Sequence, residues 1–394
     1  MWPRWFVGGV SPRVETQSIS KDAVIAALRT VDDPELHRDL VTLNMIKDIV
    51  IEGSTVGLTV ELTTPACPLR GKIEADVRAA LVQVPGVQHI ELQITAQVRS
   101  MFGGKPGKEP IPGIKNTIAV ASGKGGVGKS TVAVNLAASL MLEGARVGLL
   151  DADIYGPSIP IMLGTNEAPV PTGDNRLNPV RAHNMTLMSV GFINRQDDKP
   201  IIWRGPMVSG LLTQFLRQVA WGELDYLVID LPPGTGDAQL TLTQALPLSG
   251  SLIVTQPAQV ALSDAQKGIQ MFKQLDVPIL GIIENMSYYE TPGTGERIYL
   301  LGKGGGQRAA TRYGVPLLGE IPLDPEMSES GDAGVPLVIK NPLSPLSVAY
   351  RDIARQVAAR LSVESFTGMI PLGTPIILSP TNDTSQGHRP LRLS

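Results

Sequence analysis

Residues 122–131 read SGKGGVGKST. From Gly123 to Ser130, two glycines flank four residues and are followed by Lys and Ser, the spacing of a phosphate-binding P-loop. In such a loop the glycines let backbone N–H groups converge on phosphate oxygens. The following helix adds its positive dipole end, and the lysine neutralises the β and γ charges. Gly123, Gly125, Gly126 and Gly128 give the permissive backbone around Val127, Lys129 the cation and Ser130 a hydroxyl for Mg²⁺, with Thr131 closing the nucleotide-contacting stretch. The β-branched run NTIAVAS (116–122) before the loop and the apolar-periodic segment after it, to about Glu143, set the motif between a strand and a helix. Lys124 is surplus to this chemistry.

Downstream, buried strands alternate with helical patterns: ARVGLLDAD, LDYLVIDLPPG, GSLIVTQPA, PILGIIENM and PLLGEIPLD. Continuous apolar strands with helical crossovers specify an α/β fold with a parallel sheet covered on both faces, here over residues 115–362. Ligands of such sheets bind at the carboxyl ends of the strands. Upstream, SKDAVIAALRTV and LRGKIEADVRAALVQV are amphipathic helices, and MIKDIVIEG, STVGLTVEL and VQHIELQIT are strands, which makes residues 20–98 a small α+β domain. The aperiodic Gly/Pro-rich stretch 99–114 reads as a linker, residues 1–19 as a disordered extension, and the Pro/Ser/Thr-rich residues 363–394 as a disordered tail.

Three carboxylates end neighbouring strands beside the P-loop. Asp230 is the expected acid for Mg²⁺, held through water, and Gly234 in the next turn allows close approach to the γ-phosphate. Asp151 and Asp153 occupy the parallel position in LLDADIYGPS; Asp153 either positions the attacking water or caps a turn.

KGGVGKST followed by DAD and DLPPG resembles the deviant Walker A class of P-loop ATPases, which includes MinD, ParA, the nitrogenase iron protein and the Mrp/ApbC group. That resemblance implies ATP as ligand and a face-to-face homodimer in which Lys124 reaches the partner's nucleotide. The stretches DIYGPSIPIMLG, WRGPMVSGLLTQFL, DLPPGTGDAQLTL and ENMSYY look like the Mrp/ApbC iron–sulfur cluster carriers, over roughly residues 113–360. Asn285 would by this resemblance hydrogen-bond the adenine. LTTPACPLRGKIE resembles the SufT/PaaD-like small domain.

The chain departs from the carriers at one place. Those that hold a cluster have Cys-x-x-Cys after ENMSY; here Thr291 and Thr294 stand in those positions. A threonine hydroxyl is too hard and too weakly acidic to replace a thiolate on iron. The one remaining thiol is Cys67, at a strand-to-helix junction where a helix N-terminus and Arg70 would favour the thiolate; the alternative is a cysteine that fills space.

Composition bounds the partners. The 394 residues carry a net charge of -3, so no global positive field draws nucleic acid or an anionic membrane. No apolar run is long enough to span a bilayer, and MWPRWFVGGVSP is too short and broken for a signal peptide. A single cysteine excludes an intramolecular disulfide and suits the cytoplasm. His37, His89, His183 and His388 show no metal-ligand spacing. The leading expectation is an Mg²⁺-dependent ATPase that carries iron–sulfur clusters to apoproteins. An ATP-gated scaffold without its own cluster and a MinD- or ParA-like positioning ATPase are the alternatives.

Overall fold

The computed structural model describes residues 18–101, 109–192 and 205–369. Nearly all of the expected N-terminal extension, the middle of the linker, Trp203 and Arg204, and the tail from residue 370 with His388 lie outside these residues.

The small unit begins with the helix Lys21–Leu28, where Ser20 Oγ accepts from Ala23 N and caps the first turn. A short ribbon follows, β1 (Asp32–Asp33) with β2 (Arg38–Asp39), then β3 (Ile46–Glu52), β4 (Thr55–Leu62), the helix Arg70–Val82 and β5 (His89–Ala96). β3 and β4 pair antiparallel, while β4 and β5 are parallel across the intervening helix. Val56, Leu58, Val60 and Leu62, every second residue of β4, face Ile73, Val77 and Leu81 on that helix. Period two against period four gives one buried seam.

The large unit contains β6 (Ile114–Ser122), β7 (Val147–Asp151), a ribbon of β8 (Val170–Pro171) and β9 (Leu177–Asn178), then β10 (Val180–Ala182), β11 (Met185–Ser189), β12 (Leu224–Asp230) and β13 (Gly250–Thr255). β14 (Ile279–Glu284), the hairpin β15 (Tyr289–Glu290) with β16 (Arg297–Ile298), and β17 (Leu317–Glu320) complete its strands. Eight of them form one sheet in the order β10-β11-β7-β12-β6-β13-β14-β17. Its pairs are parallel except β10 with β11. β6, with β12 on one side and β13 on the other, stands at the centre and leads directly into the P-loop. The expected α/β fold is present.

The last helix, Pro345–Met369, continues past the boundary expected at 362. Phe366 gives it a reason to do so: its ring packs against the small unit's core, with the Arg99 guanidinium 4.4 Å from the ring centroid. From the other direction Ala66 of the small unit joins the large unit's core, and Thr64 Oγ1 lies 3.0 Å from Tyr226 OH with both residues buried. The two units are therefore keyed together at the amino-terminal end of β12, the end opposite Asp230.

Candidate nucleotide site

The P-loop leaves β6 at Ser122 and enters the helix Lys129–Leu142. Gly126 and Gly128 have φ of 80° and 81°, a left-handed conformation that costs glycine little. A β-carbon on Gly123 would run into the backbone of Asp264. Lys129 is buried, with Nζ 2.7 Å from Asp230 Oδ1 and 3.4 Å from Asp153 Oδ2. Ser130 Oγ donates to Asp230 Oδ2 at 2.6 Å. Lys129, Ser130 and Asp153 border a cavity of about 460 Å³, with Asp230 buried behind them; it is lined also by Gly125, Thr131 and Pro233 and, from the far side, by Met327, Ser328, Gly331 and Asp332 of the helix Pro325–Asp332. That size suits a small-molecule ligand. The helix 325–332 carries no phosphate motif and comes from far along the chain, so sequence reasoning did not find it.

The carboxylates separate by role. Asp230 is fully buried, and burial raises its pKa against the lowering effect of Lys129. Asp151 is also fully buried and lies behind the cavity: it accepts from Ser189 Oγ at 2.9 Å, Asp153 N at 3.2 Å and Ile159 N at 3.4 Å. Burial first, and the Asp230 charge second, push it up to about 7. It anchors the 152–159 segment. Asp153 lines the cavity itself, and its Oδ1 is buried without a hydrogen-bond partner, an acceptor free for water or ligand. Lys124 is exposed beside the cavity. The Gly234 N–H donates to Ser122 O at 3.0 Å. Asn285 is buried against the loop, donating from Nδ2 to Val127 O at 2.8 Å, because Gly128 lacks the β-carbon that would fill that space.

No cluster of three or more His, Cys, Asp or Glu among the described residues could hold a metal ion. The nearest approach to an Mg²⁺ site is Ser130 with Asp230, which supplies oxygens of the right hardness and leaves most coordination positions to phosphate and water.

Residues 113–358 match the family described as NUBPL iron-transfer P-loop NTPase, and residues 21–92 match one described as iron-sulfur cluster assembly protein. The chain belongs to the NUBPL iron-transfer P-loop NTPase family. Similar proteins named iron-sulfur cluster carrier protein include one from Deinococcus radiodurans, 48% identical over 90% of this chain and 99% of its own length. Another from Synechocystis is 50% identical over 88% and 99%, and one from Escherichia coli is 42% identical over 86% and 91%. Among solved structures, a nucleotide-binding protein in complex with ADP from Archaeoglobus fulgidus superposes with a TM-score of 0.53 at 40% identity, covering 60% of this chain and 92% of that one.

Within this NUBPL-family chain the cluster positions do not fit a cluster. Thr291 and Thr294 sit on the turn of the β15–β16 hairpin, closed by Thr291 N to Glu296 O at 2.9 Å and Gly295 N to Thr291 O at 3.0 Å. Thr291 Oγ1 is buried and unpartnered, Thr294 is exposed, and neither offers a thiolate. Cys67 corrects the expected thiolate. It is half-buried against the small unit's core, and burial pushes its thiol up to about 11, with Glu35 and Asp33 raising it further; amide hydrogen bonds from Leu69 and Arg70 do not offset this. At neutral pH Cys67 is a thiol. It also lies at the unit junction, beyond the end of β12 opposite the nucleotide site.

Proposed function

We propose that this chain is a homodimeric, Mg²⁺-dependent ATPase of the cytoplasm that carries iron–sulfur clusters, or assists their assembly, for apoproteins. The observation that carries this reading is the cluster of Lys129, Ser130, Asp230 and Asp153 at the cavity, on a chain of the NUBPL family. Lys129 and the loop amides neutralise the β and γ charges, and Ser130 with Asp230 holds Mg²⁺. The free Oδ1 of Asp153 accepts a hydrogen bond from the attacking water and orients it. Lys124, exposed in its own subunit, serves the partner's nucleotide, which ties hydrolysis to dimerisation. Partners are a second copy and apo iron–sulfur proteins or other assembly factors; nucleic acid and membrane have no part in this reading.

A second reading, an ATP-gated scaffold with no cluster of its own, draws support from Thr291, Thr294 and the protonated Cys67. Binding of a fluorescent ATP analogue tests the nucleotide site: Lys129→Ala is expected to abolish tight binding, and Lys124→Ala to leave it intact while suppressing hydrolysis. Unchanged affinity in Lys129→Ala would sink the site; equal binding losses in both variants would sink the role across the dimer.

A further inference from the structure

Glu284 is fully buried at the carboxyl end of β14. Both of its carboxyl oxygens are taken. Oε1 accepts from Ser287 Oγ at 2.5 Å, and Oε2 accepts from the N–H of Gly306, the second residue of the helix Gly305–Tyr313. Ser287 and Gly306 are the two feet of the excursion that carries the β15–β16 hairpin, so one side chain holds its outgoing and returning ends together. A β-carbon on Gly306 would lie 3.0 Å from Glu284 Cβ, so the close approach needs glycine. Within the excursion the Tyr288 and Tyr299 ring centroids are 6.3 Å apart, and the Arg297 guanidinium stands 4.2 Å over the Tyr288 ring. These contacts join the two arms of the hairpin.

The same strand ends reach the P-loop. Asn285 donates from Nδ2 to Val127 O at 2.8 Å, and its neighbour Glu284 holds the feet of the hairpin. Gln256, just beyond β13, donates from Nε2 to Gly126 O at 3.3 Å. Its neighbour Pro257 lies so close to Gly305 that a β-carbon there would run into the Pro257 carbonyl. Two adjacent strands thus each touch the loop with one residue and the returning foot with the next. Ile321 N donates to Glu284 O at 2.8 Å and Ser287 N to Ile321 O at 2.9 Å, which ties the outgoing foot to the segment after β17. Parting the feet from Glu284 would leave buried donors and acceptors without partners, a costly step. A shift of the P-loop would move the feet with it instead.

We propose that Glu284 is a positioning residue that ties the β15–β16 hairpin to the state of the P-loop, so that nucleotide occupancy and hairpin geometry are linked. This rests on the nucleotide-site reading above. The test places a nitroxide label on the exposed turn of the full chain, by Thr294→Cys in a Cys67→Ser background. Electron paramagnetic resonance reads the label while ATP with Mg²⁺ is titrated to saturation, and bound ATP is measured in the same samples. In the background chain, saturation is expected to change the mobility of the label. Adding Glu284→Ala, which frees both feet, is expected to weaken ATP by at most about tenfold, the scale of coupling between linked sites, and to abolish the response of the label at saturation. Glu284→Gln is expected to restore the response, because its carbonyl still accepts from Gly306 N and its amide donates to Ser287 Oγ. If Glu284→Ala does not fold, Ser287→Ala decides: a reduced response supports the link and a full response overturns it. A label that responds in Glu284→Ala as in the background would overturn the proposal, as would a background chain that binds ATP without any response. Failure of the background chain to bind ATP would instead overturn the nucleotide site on which the proposal stands.

Discussion

Removing the hydroxyl of Thr64 or of Tyr226 should have unequal and non-additive costs. The two oxygens are 3.0 Å apart at the junction between the units, and Thr64 Oγ1 also accepts from Ala66 N at 3.2 Å. Tyr226→Phe deletes one hydroxyl but leaves Thr64 bonded to Ala66, so the loss should be about 1 kcal/mol. Thr64→Val keeps the shape but strands both the phenol and the Ala66 N–H, so two buried groups go unsatisfied at a cost of about 2–4 kcal/mol. In the double variant only the Ala66 N–H is stranded. Its cost should fall short of the sum of the single costs by about 1–2 kcal/mol. Urea unfolding of the full chain measures this, followed by circular dichroism and by tryptophan fluorescence, to which Trp221, buried in the large unit, contributes. Coincident transitions would establish that the keyed units unfold together. Costs that add to within about 0.3–0.5 kcal/mol would show that the two hydroxyls do not interact, and the described junction would be wrong.

Glu35 sets a pH dependence. Burial, and then the Asp33 charge, raise it from 4.5 to about 7, so the native state holds its proton more tightly than the unfolded chain does. Its cost is absent below pH 4.5, grows as pH rises and is complete above about 7; Asp151 contributes with the same sign. Glu35→Gln should reduce the stability lost between pH 5 and pH 8 by about 1 kcal/mol, solvent screening at this half-buried site included; an unchanged difference in urea midpoints would contradict the assignment. At the hairpin, Thr291→Cys with Thr294→Cys should raise the iron recovered after anaerobic reconstitution to about one four-iron, four-sulfur cluster per dimer, since four thiolates then become available. Iron no higher than in the wild type would mean that these turns do not converge.

What the sequence reveals about this protein follows the range over which each signal acts. The P-loop, its strand and its helix were legible because glycine spacing, β-branched runs and apolar periodicity are local. The strands expected at NTIAVAS and LDYLVID correspond to β6 and β12. Contacts between distant segments were not legible. Nothing local in Met327 or Gly331 announces that they line the cavity, nothing in Ser189 announces its bond to Asp151, and nothing in Phe366 shows that a helix continues because another unit receives its ring. Cys67 illustrates the same limit: helix position and Arg70 suggested a thiolate, but burial and two acidic neighbours, set by tertiary packing, decide the opposite. For Asn285 the sequence suggests only a contact with the base, and its bond to Val127 emerges only from the folded loop.

The proposed role is tested most directly by the rate at which the reconstituted full chain activates an apo iron–sulfur enzyme, measured with and without ATP and Mg²⁺ for the wild type, Lys129→Ala and Cys67→Ser. Activation by the wild type is expected to be faster when ATP is present, and the Lys129→Ala rate to equal the wild-type rate without nucleotide. Cys67→Ser then reports whether the one thiol takes part in carrying the cluster. Activation that is indifferent both to ATP and to Lys129→Ala would contradict a nucleotide-driven role in cluster delivery.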